Sequence, residues 1–166
     1  MKYILLLSIL TICTITDIKE RKIHNEVLLL GLIMALLLNA HEAGPSGIID
    51  TIKGLAVGTS VFFIPYLLGW LGAGDAKLTG IIGAFGGWQF ALCAVSCTAV
   101  AGGIISIILL IRDKRTGCLL QNLKMLFFTR SAYYLRDNDG QYTFPYAIAI
   151  SLGTGLALGI RVMGYV

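Results

Sequence analysis

The chain has 166 residues, of which 57% are hydrophobic and only 13% charged, with a formal net charge of +4 and a mean hydropathy of +0.83. A water-soluble domain runs about 45–50% apolar and about 25% charged, so the composition excludes that class and points to an integral membrane protein. Alternating amphipathic strands of the barrel type are absent, which leaves one helical membrane domain over residues 1–166.

Residues 1–16 are apolar apart from Lys2, and no small-residue cleavage site follows, so they read as a first membrane helix rather than a signal peptide. At about 1.5 Å per residue this helix is short, which puts its polar end near the membrane surface. Residues 17–26, DIKERKIHNE, form a compact polar loop. Residues 27–40 make a second helix, 41–46 a turn carrying Gly44-Pro45, and 47–71 a third span with Asp50 and Lys53 near its start. Pro65 should kink that span near its end and free backbone carbonyls there.

Residues 78–111 carry no charge. The run is too long for one helix across a core that needs about 20 residues. Gly86-Gly87-Trp88-Gln89 divides it into a short helix over 75–86 and a full one over 90–111. A polar, basic connection over 112–143 leads to a sixth helix over 144–163, opened by Pro145. Six helices place the loops 17–26, 72–77 and 112–143 on one side. Those loops hold ten of the thirteen Lys and Arg residues, the exceptions being Lys2, Lys53 and Arg161. The bias puts them in the cytoplasm and both termini outside.

The stretch 69–88, GWLGAGDAKLTGIIGAFGGW, carries a carboxylate, Asp75, among small and apolar residues. A charge within a membrane-length apolar stretch costs about 2.5–3.5 kcal/mol on insertion scales. Two readings follow: a functional acid facing water or a partner, or a helix-end aspartate just outside the lipid. Asp17 stands at the matching depth at the end of the first helix. Two adjacent carboxyls share a proton and titrate as a pair. The ionised member can take a proton from water while the protonated one polarises a peptide carbonyl, as in aspartic proteases. Gly72 and Gly74 let the backbone bend sharply and let a substrate strand or the first helix approach Asp75. Lys77 lies two residues beyond Asp75, off its face of a regular helix, and is placed to snorkel toward head groups.

These segments resemble a known family. LGAGDAKLTGIIGAFGGW resembles the GxGD segment of the type IV prepilin peptidases, aspartic proteases of the inner membrane. DIKERKIHNEVLLL resembles their first motif, an Asp, five residues, Ile, usually Pro, then Asn; here His24 stands in the proline position. TFPYAIAISLG resembles the opening of their last helix. The resemblance implies a GxGD aspartyl protease fold, catalytic Asp17 and Asp75, and pilin-like precursors as substrates, cut at the cytoplasmic face before their apolar helix. Larger members carry a cytoplasmic insertion with paired CxxC motifs, linked to N-methylation. The ten-residue loop here has no Cys, so the likeness is to small forms serving Flp/Tad-type pili or to preflagellin peptidases, without methylation. Presenilin-like proteases share GxGD, but there Tyr typically precedes the first Asp, whereas Thr16 does here.

The other features are weaker. Cys13, Cys93, Cys97 and Cys118 show no paired metal spacing and read as packing residues. The basic, aromatic segment LLQNLKMLFFTRSAYYL reads as an interfacial helix on anionic lipid, and Asp137-Asn138-Asp139-Gly140 as a turn rather than a calcium loop. Gly54 with Gly58, Gly83 with Gly87, and Gly155 with Gly159 should let helices pack closely. The expected partners are a prepilin-like precursor and membrane lipid, with no nucleic acid, cofactor or metal. The alternative is a small transporter or channel subunit in which Asp17 and Asp75 bind a proton or cation.

Overall fold

The computed structural model describes residues 2–68, 71–112 and 146–164. They form five helices and no strand: α1 (Lys2–Glu20), α2 (Asn25–Leu67), α3 (Ala73–Gly86), α4 (Trp88–Arg112) and α5 (Tyr146–Val162). The all-α class is as expected. The connection over 113–145, with the proposed interfacial helix, Cys118, the Asp137–Gly140 turn and Pro145, lies outside the described residues.

The 43-residue α2 is two helices joined at one residue. Gly44 takes φ 62 and ψ −138, outside the helical region and on the side of φ that glycine tolerates. In an unbroken helix residues 39 and 51 would lie about 18 Å apart. Instead Asn39 Nδ2 donates to Thr51 Oγ1 at 2.8 Å. The chain therefore reverses at Gly44, and the limbs 25–43 and 45–67 lie against each other near the turn. The expected turn over 41–46 contracts to this single residue, with Pro45 opening the second limb. Pro65 sits inside the second limb, near its end, as expected. The first helix is longer than expected: Asp17 to Glu20 continue it.

Many large apolar side chains face outward, while alanines join Leu, Ile and Phe side chains in the interior. Leu29, Leu30, Ile33, Leu37, Ile104, Ile107 and Ile108 are exposed, whereas Ala35, Ala84, Ala94, Ala147, Ala149 and Ala157 are buried. In water that arrangement would leave a large apolar surface bare; against lipid it costs nothing and lets backbones approach. Asn25–Leu67 and Trp88–Ile108 are long and apolar enough to cross a membrane, and α5 is a shorter apolar helix.

The closest approach joins α3 to the second limb of α2. A Cβ at Gly54 would collide with the Gly83 carbonyl, and one at Gly58 with the Thr79 carbonyl. The expected Gly54/Gly58 contact is present. Of the Gly83/Gly87 pair, Gly83 makes this contact from the α3 side while Gly87 is a turn residue at φ 85 between α3 and α4; Gly155 and Gly159 meet nothing among the described residues. Gly153 packs against Thr98 on α4 in their place. α5 runs antiparallel to α1. The hydroxyls of Thr14 and Ser151 lie 2.5 Å apart, and Asp17 meets Ala147 one turn further along.

Candidate active site

Both predicted aspartates sit at polar helix ends, beyond the apolar spans. Asp17 stands near the C-terminal end of α1, one turn before the chain leaves the helix at Glu20. Its Oδ2 accepts the backbone N–H of Ala147 at 3.3 Å. That N–H belongs to the first turn of α5, where backbone donors have no partner within the helix.

Asp75 is the third residue of α3. Gly72, which precedes the helix, has no side chain with which to cap it. Asp75 supplies half of a capping box by reaching back, and its Oδ2 accepts the Gly72 N–H at 3.2 Å. The Asp75 N–H in turn bonds the Gly72 carbonyl at 3.2 Å. Both carboxyls are thus held at helix N-termini, where the macrodipole favours negative charge.

Burial outweighs that assistance. The Asp75 carboxyl is pushed from an ordinary 3.8 up to about 6, first by burial and then by the charge of Asp17, against the lowering effect of the Gly72 hydrogen bond. Burial also raises Asp17, opposed by the bond from Ala147. The charge of Asp17 thus reaches Asp75 from the end of α1. Tyr146 closes a third side. Its ring meets Phe62 edge-on at 6.1 Å and joins Ala76 and Val95 in an apolar cluster against Asp75. The end of α1 and the starts of α3 and α5 therefore gather at one end of the bundle, with the two carboxyls within electrostatic reach of each other.

The other predicted residues are placed differently. Gly72 has φ −75 and ψ 151, which any residue adopts, and a Cβ there would make only an ordinary 3.4 Å contact with Asp75 Oδ2. The backbone at Gly72 therefore does not itself require a glycine. Gly74 does permit a close approach, but to the connector rather than to the first helix: a Cβ would lie 3.0 Å from Ile23 Cβ. Lys77 does not run free to head groups, because its Nζ donates to Asn25 Oδ1 at 2.9 Å. Among the described residues no three His, Cys, Asp or Glu side chains gather as a metal site would require.

Residues 4–107 match the model of the type IV leader peptidase family. The chain belongs to the type IV leader peptidase family. It is similar to the prepilin leader peptidase/N-methyltransferase of Pectobacterium carotovorum subsp. carotovorum, 32% identical over 116 residues that cover 63% of this chain and 40% of that protein. It is also similar to the protein of the same description from Myxococcus xanthus, 26% identical over 126 residues covering 72% of this chain and 37% of that protein. The chain thus spans about two fifths of the length of these curated relatives. No solved structure matches it. The stretch matched to the leader peptidase family contains both aspartates and ends before α5, which supplies Ala147 and Tyr146. Both lie in the segment TFPYAIAISLG singled out above, but neither was marked there as a site residue: one contributes only a backbone N–H, the other an aromatic ring in an apolar run.

A second polar cluster occupies the opposite end of the bundle. Lys2 Nζ bonds Glu42 Oε2 at 2.7 Å and reaches Asn39 Oδ1 at 3.4 Å. Arg161 donates to the Gly86 carbonyl at 2.9 Å and lies over the rings of Tyr3 and Phe90, 5.4 Å from each. These groups border a cavity of about 270 Å³. Each has a fixed partner, and the cluster reads as the clasp of that helix end.

Proposed function

We propose that the protein is a membrane aspartyl endopeptidase that removes the leader from type IV prepilin-like precursors at the cytoplasmic face. It spans the inner membrane six times, counting α1, the two limbs of α2, α3, α4 and α5, with both termini outside. The observation that supports this reading is that Asp17 and Asp75 stand at the same end of the bundle, each carboxyl bonded to a backbone N–H at a helix N-terminus, each raised by burial, and with the charge of Asp17 reaching Asp75.

Asp75, the more buried of the two, holds the shared proton. Ionised Asp17 takes a proton from water, whose oxygen adds to the scissile carbonyl carbon. Asp75 gives its proton to the carbonyl oxygen, forming a neutral tetrahedral diol. As the C–N bond breaks, one diol hydroxyl proton returns to Asp75 and the proton held by Asp17 passes to the leaving amine. The products are a new carboxyl and a new amino terminus, and the dyad regains its starting charge. No metal or cofactor takes part. The four-residue connector over 21–24 between α1 and α2 leaves no room at that point for an inserted domain, which supports a small form without methyl transfer and a substrate of the Flp-type pilin or flagellin-like class.

The transporter reading is disfavoured by the core between the two polar ends. Leu10, Cys13, Leu78, Ile82 and Phe85 lie there, each at most 2% exposed. The test is purified protein in lipid vesicles, given a prepilin precursor or an ion gradient. Cleavage without dissipation of the gradient supports the peptidase; flux without cleavage overturns it.

A further inference from the structure

On the dyad reading above, something must hold the end of α1 beside the start of α3, because the two helices share few direct contacts. The chain leaves α1 through a connector that is itself under tension. Arg21 takes φ 52, a left-handed conformation that a non-glycine residue rarely adopts, while its N–H bonds the Asp17 carbonyl at 2.9 Å. Such a conformation persists only where the surroundings over-determine it. Two contacts supply that constraint across to α3. Ile23 sits against Gly74, where even one added carbon would crowd it. Lys77, one turn into α3, donates to Asn25 at the start of α2, closing the connector from its far side.

We propose that Lys77 and Asn25 form a positioning pair that fixes the first turn of α3, and with it Asp75, against the connector that ends α1 and carries Asp17. Neither residue touches the reacting atoms. Lys77 is two positions from Asp75 and lies on another face of the helix. The bond spans 52 residues of sequence and ties α3, which bears Asp75, to the start of α2, just beyond the connector that follows the helix of Asp17. Its donor is charged, which makes it stronger than a neutral pair. Loosening it moves the two aspartates apart and lowers turnover while leaving precursor binding to other surfaces.

The test is steady-state cleavage of a purified prepilin precursor by full-length protein in lipid, with the amount of folded enzyme measured separately. Lys77→Met and Asn25→Ala should each lower kcat about three- to tenfold with KM unchanged, the size expected for one charge-assisted hydrogen bond. The double variant should be no slower than either single one, since both remove the same bond. Lys77→Gln, which keeps an N–H donor, should recover part of the loss. A raised KM would make Lys77 a substrate contact. Multiplied effects in the double variant, or full kcat in Lys77→Met, would also overturn the pair. Asp75→Asn, run alongside, separates the two claims. If it cleaves normally, the dyad itself falls. If it is inactive while the pair variants behave independently, only the positioning role falls.

Discussion

At Asp75 two opposing influences meet on one carboxyl. A helix N-terminus and a backbone N–H favour the charge; burial and the neighbouring Asp17 oppose it, and they win, lifting the carboxyl to about 6. Because burial is the larger cause, replacing Asp17 by Asn should lower the Asp75 value without returning it to 3.8. Infrared titration of the carboxyl band in labelled protein reads this directly. A return to the ordinary value would make the charge of Asp17 the dominant cause. Stability carries the same information with a definite sign. A folded-state value above the unfolded one means that both states are protonated below about pH 4 and that stability is lost as pH rises through about 6. Asp75→Asn should therefore raise the thermal midpoint in detergent at pH 8, by an amount corresponding to about 1–3 kcal/mol, and leave it nearly unchanged at pH 4. Both aspartates were legible in the sequence, since each is a carboxylate bordering an apolar helix. The role of Lys77 was not, because a snorkelling lysine and one bonded to a residue 52 positions away look alike until the chain is folded.

At the scale of the helix, α3 is held at both ends by groups that suit its dipole. Asp75 stands at the N-terminus. At the C-terminus the orphan carbonyls of Ala84 and Gly86 are met by Asn39 at 2.8 Å and by the cation of Arg161 at 2.9 Å. Asn39 also bonds Thr51, so one amide joins both limbs of α2 to the end of α3. Asn39→Ala should cost about 1–3 kcal/mol by leaving a buried carbonyl unpaired, seen as a lower thermal midpoint. An unchanged midpoint would mean that water replaces the amide. Gly83→Val should cost a similar 1–3 kcal/mol, because the added carbons meet the backbone of Gly54. A polar residue inside an apolar helix and a pair of small residues four apart are visible in a sequence. What lies opposite them is not. The Gly54/Gly58 pair found a partner helix, whereas Gly155 and Gly159 carry the same spacing and meet nothing among the described residues. The same gap hid the sharpness of the turn at Gly44: Gly-Pro marked a break, but only the return of Thr51 to Asn39 shows that the chain doubles back on one residue.

For the whole molecule, an outer surface rich in exposed Leu and Ile side chains suits lipid, and the distribution of charge separates one end from the other. The dyad lies at the end with Lys19, Arg21 and Lys22; the Lys2–Glu42 clasp lies at the end where α1 begins. In a background with the native cysteines replaced, a Cys at Lys22 should react with an impermeant thiol reagent only from the cytoplasm and one at Ser46 only from outside. The reverse pattern would invert the topology and place the two aspartates away from newly made precursors. The central claim is narrower: two carboxyls act as one unit on a peptide bond. The direct measurement is single-turnover cleavage of a prepilin precursor by purified Asp17→Asn, Asp75→Asn and the double variant, each checked for its folded fraction. Each single variant should lose about a thousandfold or more, and the double variant no more than either, because groups that work as a unit do not add. Cleavage at the parent rate by either single variant would contradict the account.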